Sequence, residues 1–271
     1  MRNALKALAA RVADTKIVRG LVAHVVYPEV LRSIKWEVQP DEPSPSGLVE
    51  TLAWKVHSYL VLNEELALTG EDCSHDGLRS DKITRGRILD IVVREAAAVD
   101  GDILEFGVSA GESLLDFSAR CPDRRVLGFD SFEGLPEAWW SRPQGAFKAT
   151  PPHVDRSNVT LVQGLFDESV PRFLSSWRGK AGIVHVDCDL YSSTMSCLAP
   201  IAHRLQRGTL VLFDEYYNYP DFASHEWKAW RQIRARFGIG ATCIAYDGRR
   251  AAFRVDVPAA EAAVSVRLRG A

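Results

Sequence analysis

The stretch Asp102-Ile-Leu-Glu-Phe-Gly-Val-Ser-Ala-Gly-Glu-Ser113 decides the reading of this chain. A short apolar run is followed by glycines at 107 and 111, and then by a helical pattern. A buried strand that turns through glycine into a helix opens a β-α-β unit. Glycine lets backbone N–H groups approach a ligand, and the helix N-terminus behind it favours negative charge. The third loop position is Ser109 and not glycine, so this is not the dinucleotide fingerprint G-x-G-x-x-G.

Outward from this stretch, strand-like runs alternate with helical ones. Strands are expected at Asp102–Phe106, Arg125–Asp130, Val159–Gln163, Gly182–Asp187 and Thr209–Asp214. Ala241–Tyr246 and Arg250–Val255 flank Asp247-Gly248, a hairpin signal that adds an antiparallel edge strand. The alternation predicts an α/β fold with a mostly parallel sheet covered by helices on both faces. Before it, helices are expected over residues 48–68 and 83–99, the second with Ile83, Ile88, Ile91 and Val92 on its buried side. Residues 71–82 read as loop. Residues 1–35 are basic and helical in pattern, and Pro40-Asp-Glu-Pro-Ser-Pro-Ser-Gly47 reads as a linker. Packing on the core or on a second subunit is favoured for the N-terminal helix over a membrane-surface role. Residues 1–80 thus form a helical extension and residues 81–271 the main domain.

Composition narrows the function. The 271 residues are 46% hydrophobic and 25% charged, with formal net charge −2, the profile of an ordinary globular protein. Nucleic acid as main partner is disfavoured, because no basic excess exists to release counterions. No run of about 18 apolar residues occurs, so no stable membrane anchor is expected. Five cysteines without a C-x-x-C pair argue against structural zinc and for free thiols in a cytoplasmic setting.

Three strand ends describe a nucleoside-shaped crevice. Asp130, 23 residues beyond Gly107, can accept hydrogen bonds from a ribose. Gln163, Gly164 and Phe166 can line an adenine edge. The loop offers few donors to a pyrophosphate, and Glu105 would face a positive amino-acid end, which suits S-adenosylmethionine better than NAD. The next two strands end in Asp187-Cys-Asp189 and Asp214-Glu215. As neighbours roughly 4.8 Å apart they would bring Asp187, Asp214 and Glu215 together. That charge calls for a cation or protonation, and an oxygen-only set favours Mg²⁺ over Zn²⁺. Such an ion can lower the pKa of a substrate hydroxyl and orient it toward a methyl sulfonium, an O-methylation. Asp187, Asp189 and His225 are the candidate catalytic bases. Trp139, Trp140, Tyr216, Tyr217, Tyr219 and Trp227 are expected to shape the acceptor pocket.

Glu105-Phe-Gly-Val-Ser-Ala-Gly111, Gly128-Phe-Asp-Ser-Phe-Glu-Gly-Leu-Pro136, Gln163-Gly-x-Phe166, Asp187-x-Asp-Leu-Tyr-x-Ser-Thr194 and Asp214-Glu-Tyr216 together resemble the macrocin O-methyltransferase family. The resemblance implies a class I, Rossmann-like methyltransferase with a seven-stranded sheet and a C-terminal antiparallel hairpin. It implies that Glu105, Gly107, Ser109, Gly111, Asp130, Ser131 and Gln163 contact the methyl donor, with Gly164 beside them, and that Asp187, Asp214 and Glu215 bind Mg²⁺. It further implies a small-molecule hydroxyl acceptor, such as a sugar of a natural product, and a homo-oligomer in which the N-terminal segment covers the site. The metal set is similar to that of catechol O-methyltransferases. Leu190 stands where those carry lysine, which excludes a lysine base there. Alternatives are a nicotinamide-dependent dehydrogenase, disfavoured by Glu105 and Ser109, and a non-catalytic scaffold.

Overall fold

The computed structural model describes residues 54–73 and 82–259. The expectations for residues 1–35 and for the linker at 40–47 lie outside the described residues. Residues 54–66 are helical and end in a π turn, Leu62–Leu66. A two-residue strand β1, Glu71–Asp72, follows. Then come α1 (Lys82–Ala96), β2 (Asp102–Phe106), α2 (Glu112–Arg120), β3 (Val126–Asp130), β4 (Val159–Gln163), α3 (Phe166–Ser176), β5 (Ala181–Val186), α4 (Tyr191–Ile201), β6 (Leu205–Phe213), α5 (Glu226–Phe237), β7 (Gly240–Tyr246) and β8 (Ala251–Val257).

These strands form one sheet in the order β1-β7-β8-β6-β5-β2-β3-β4. β4 to β6 are all parallel, whereas β8 runs antiparallel to both β6 and β7. Two expectations are corrected here. The sheet has eight strands and not seven, because Glu71 and Asp72, read as loop, pair with Ala245 and Tyr246. The antiparallel strand is also not an edge strand, since β8 lies inside the sheet between β6 and β7. Insertion there covers both rows of β8 backbone groups, and β1 then shields the outer edge of β7.

Every residue of β2 and β5 is buried, as suits central parallel strands with helices on both faces. Leu104, Phe106, Val184 and Val186 face the layer holding Val170, Leu198 and Ile233, from α3, α4 and α5. Ile103 and Ile183 face the layer holding Ile88, Val92, Leu114 and Phe117, from α1 and α2. Period two then sends Glu105 and His185 into the α1/α2 layer. Cα register places these two residues opposite one another.

The chain walks from β2 outward through β3 to β4 and then returns to the other side of β2 to form β5. Strand order therefore reverses between β2 and β5, the place where open α/β sheets bind ligands beyond their carboxyl ends.

Candidate active site

A crevice of about 590 Å³ opens at this switch point. Its floor is made by the ends of β2, β3 and β5, and one wall by residues 131–149, which run from the tip of β3 toward α4. Glu137 in that wall accepts a 2.5 Å hydrogen bond from Ser192 Oγ of α4.

Of the expected donor-binding residues, Gly107, Ser109, Asp130, Ser131 and Gly164 line the crevice. Asp130 organises the loop around it. One carboxylate oxygen accepts the N–H groups of Val108 and Ser109, both at 2.8 Å, and the other accepts that of Phe132 at 2.7 Å. Gly107 and Gly111 have φ of 93° and 84°. Gly111 starts α2 and packs against Pro152, outside the crevice. Gln163 also lies outside it, with its carbonyl accepting from Arg172 at 3.0 Å.

Glu105 is not at the crevice surface but fully buried beneath it. It accepts a hydrogen bond from Ser113 Oγ, and His185 Nδ1 lies 3.5 Å from its carboxylate. On the other side His185 Nε2 lies 3.8 Å from Asp214 Oδ1. Burial pulls the imidazole pKa down, but the two carboxylates outweigh it and hold the ring up at about 10. Glu105, His185 and Asp214 thus form a row of carboxylate, imidazole and carboxylate beneath the crevice.

The acids of the two strand tips divide. Asp187, Asp189 and Glu215 line the crevice, whereas Asp214 turns under it. It shares the strand parity of Leu212, which packs in the α1/α2 layer. Arg250 holds it through Nε at 2.6 Å and a longer second contact at 3.4 Å. Burial would raise the Asp214 pKa, yet His185 and Arg250 keep it well below the usual carboxylate range. Arg249 binds Glu215 Oε1 at 3.1 Å. Burial lifts Asp187 well above its usual range, with repulsion from Asp214 adding to it. Burial likewise lifts Asp189 to about 7 and Glu215 to about 8.

The charge compensation assigned to a cation is therefore met in part by two arginines. Neither was singled out in the sequence, although both directly follow the Asp-Gly turn. Asp247 accepts the N–H groups of Arg249 and Arg250 at 2.9 and 2.8 Å. These residues thereby join a four-residue loop, and Arg250 is not the first residue of a strand as expected. Antiparallel pairing of Ala251 with Phe213 delivers that loop to the acidic end of β6.

Glu226 was missed as well. Its buried carboxylate accepts the backbone N–H of Cys188 at 3.4 Å, of Asp189 at 3.1 Å and of Glu215 at 3.3 Å. It ties the two acidic loops to α5. Glutamate at the start of a helix is so common that spacing carries no such signal.

His225, half-buried, does not line the crevice, and its Nε2 faces Asp221 at 3.7 Å. Of the expected pocket aromatics, only Trp139 and Trp140 line the crevice. Tyr216, Tyr217 and Tyr219 are fully buried. Their hydroxyls or rings serve the fold: Tyr216 donates to Glu65 at 2.9 Å, Tyr217 to the Asp247 carbonyl at 2.5 Å, and Tyr219 packs edge-on to Trp139. Trp227 donates to Glu65 at 3.3 Å.

Oxygen donors suited to a hard cation are present. Among the described residues Asp187 accepts no side-chain hydrogen bond, and Glu215 Oε2 is buried without a partner. Ligand atoms of His185, Asp187 and Asp214 fall within 4.8 Å of one another. A protonated imidazole has no lone pair to give, which leaves carboxylate oxygens as the donors.

Residues 104–216 match the family described as "Methyltransferase domain". Over 178 residues the chain is 30% identical to the 8-demethyl-8-(2,3-dimethoxy-alpha-L-rhamnosyl)-tetracenomycin-C 4'-O-methyltransferase of Streptomyces olivaceus. That alignment covers 56% of this chain and 65% of the relative. The calicheamicin methyltransferase CalS11 superposes with a TM-score of 0.56 at 25% identity, over 79% of this chain and 94% of CalS11. The O-methyltransferase NovP shares the fold at a TM-score of 0.55 and 20% identity, over 65% of this chain and 81% of its own. The matches favour neither the dehydrogenase nor the scaffold alternative. Among the described residues no helix is long and apolar enough to cross a membrane. Fold and crevice fit the methyltransferase-domain match over residues 104–216, and the similarity to O-methyltransferases agrees with the resemblance to the macrocin kind.

Proposed function

We propose that the chain transfers the methyl group of S-adenosylmethionine to a hydroxyl of a small molecule, with Mg²⁺ assisting. A sugar of a natural product is the favoured acceptor, the class named for the tetracenomycin relative. The observation that carries the reading is the meeting of Gly107, Asp130 and Asp187 in one crevice. Gly107 and Ser109 admit the donor close to the backbone, and Asp130 faces the ribose. Asp187, Asp214 and Glu215 would hold Mg²⁺. Bound there, the ion would acidify and orient the acceptor hydroxyl. Asp189, in the crevice with its carboxyl lifted to about 7, is the better placed base, ahead of His225. Glu105 acts from below, by holding His185 and Ser113. The five cysteines are all free, which supports a reducing, cytoplasmic setting. Association into a homo-oligomer through the N-terminal extension completes the proposal.

Calorimetry with S-adenosylhomocysteine, with and without Mg²⁺, tests the donor half. Transfer of a labelled methyl group to a panel of glycosides tests the other. Binding that is absent under both conditions contradicts the proposal.

A further inference from the structure

The wall at 131–149 carries two large aromatics that the fold does not bury. Trp140 is 54% exposed and Phe147 49% exposed, and both line the crevice. Both also have left-handed backbone, with φ of 48° and 64°. A bulky L-residue rarely adopts this conformation; Phe132 at the foot of the same wall does so with φ of 61° but is buried, whereas these two side chains face the crevice. Strain at an exposed side chain that faces a cavity points to a ligand.

The backbone holds both rings in place. Trp139 and Arg142 exchange N–H···O bonds of 2.9 and 2.7 Å, which closes a tight turn with Trp140 at its corner. Leu135 donates to Ala146 at 2.8 Å and Gly145 to Leu135 at 2.9 Å, which frames Phe147. Trp139 is buried behind them, with its ring 6.3 Å from each of the other two. The Arg142 guanidinium lies 5.6 Å from the centre of the Phe147 ring and also lines the crevice. Among the described residues it makes no ion pair, although the same crevice holds five carboxylates. The arginines at 249 and 250 neutralise acids, so Arg142 is the cation left over for a ligand.

We propose that Trp140, Phe147 and Arg142 form an acceptor subsite: a flat ring of the acceptor lies against the two aromatic faces, and an anionic group of the same molecule pairs with the guanidinium. The proposal rests on the methyltransferase reading above and names the acceptor class for it. Two sources share this chemistry, a nucleoside diphosphate and a fused aromatic carboxylate. The Glu137–Ser192 bond joins this wall to α4, which starts two residues after Asp189.

The test is calorimetry on the full chain saturated with S-adenosylhomocysteine. Uridine diphosphate and uridine form one probe pair, 2-naphthoate and 2-naphthol the other. At least one anionic probe is expected to bind, about tenfold more tightly than its neutral partner. Trp140→Gly and Phe147→Gly should each weaken it about tenfold. Arg142→Gln should remove the preference for the anion, and S-adenosylhomocysteine affinity should stay within about twofold throughout. The glycine variants should melt no lower than the parent, because glycine accepts positive φ without strain. The probe pair that responds identifies the source. Failure of both anionic probes to bind the loaded parent overturns the subsite, as does parent-like probe binding in all three variants. A parallel loss of S-adenosylhomocysteine affinity in Trp140→Gly also overturns it, by assigning the platform to the methyl donor. If the parent itself does not bind S-adenosylhomocysteine, the methyltransferase reading falls first and the subsite with it.

Discussion

A Cβ atom at Gly107 would lie 1.8 Å from the carbonyl oxygen of Asp187. The glycine loop after β2 therefore rests directly on the backbone where the acidic tip of β5 begins. Gly107 N–H also donates to the Phe129 carbonyl at 2.9 Å, so three strand ends meet at one residue without a side chain. Gly107→Ala is expected to lower stability by about 2 kcal/mol or more, because backbone and not a flexible side chain must move and the φ is positive. Urea denaturation reads this directly. An unchanged midpoint would show that the two tips are not in contact.

Asp187 and Asp214 should respond differently to loss of charge. Asp187→Asn removes a carboxylate that accepts no side-chain hydrogen bond among the described residues. It should abolish Mg²⁺-dependent turnover and leave both the melting temperature and S-adenosylhomocysteine binding near those of the parent. Asp214→Asn takes one of two carboxylates from part-buried Arg250, which keeps Asp247, and one of two from buried His185, which keeps Glu105. It should cost about 2 kcal/mol, because the buried charges keep only one of their two carboxylates each, whatever its effect on turnover. Thermal melts of the two variants side by side decide the matter, and equal melting temperatures would contradict the division of roles.

Glu226 should behave as a staple. Glu226→Ala leaves three backbone N–H groups of Cys188, Asp189 and Glu215 without their acceptor. The expected loss is about 3 kcal/mol, with about 1 kcal/mol for Glu226→Gln, which keeps one acceptor oxygen. Hydrogen exchange should quicken at residues 188, 189 and 215 in the alanine variant. Parent-like protection at those three amides would remove the assignment.

Alkaline pH should weaken the fold. Burial, with Glu71 and Asp247 nearby, pushes the Cys73 thiol up to about 12, and burial also raises Cys243. Above about pH 9 the thiols of the unfolded chain ionise while the folded ones keep their protons. The unfolded state then binds fewer protons, so stability falls as pH rises from about 9 toward 12. Denaturation midpoints at pH 8 and pH 10 check the sign. Iodoacetamide at pH 8 should reach half-exposed Cys121 before Cys73.

Most strands were legible because apolar runs between turn residues carry their own signal. The expected ends of β2 and β4 agree with the structure residue for residue. β6 begins four residues earlier than expected, at Leu205, where Gln206, Arg207 and Gly208 hide an extended segment. β1 was illegible for a similar reason: Glu71 and Asp72 are both exposed, and only pairing with β7 makes them a strand.

The residue types of the site were readable too, since glycine, serine and carboxylates at strand ends imply a polar crevice whatever their orientation. Local spacing alone determined that Gly107, Asp130, Asp187 and Glu215 would sit at the carboxyl ends of parallel strands. Only the tertiary structure decided which way the side chains turn. Strand parity and helix packing put Glu105 and Asp214 beneath the crevice, on either side of His185. The antiparallel return of β8 carried Arg249 and Arg250 to acids more than thirty residues away, and α5 brought Glu226 across to both loops. Such pairings depend on which strands become neighbours, a property of the whole sheet that no window of sequence contains.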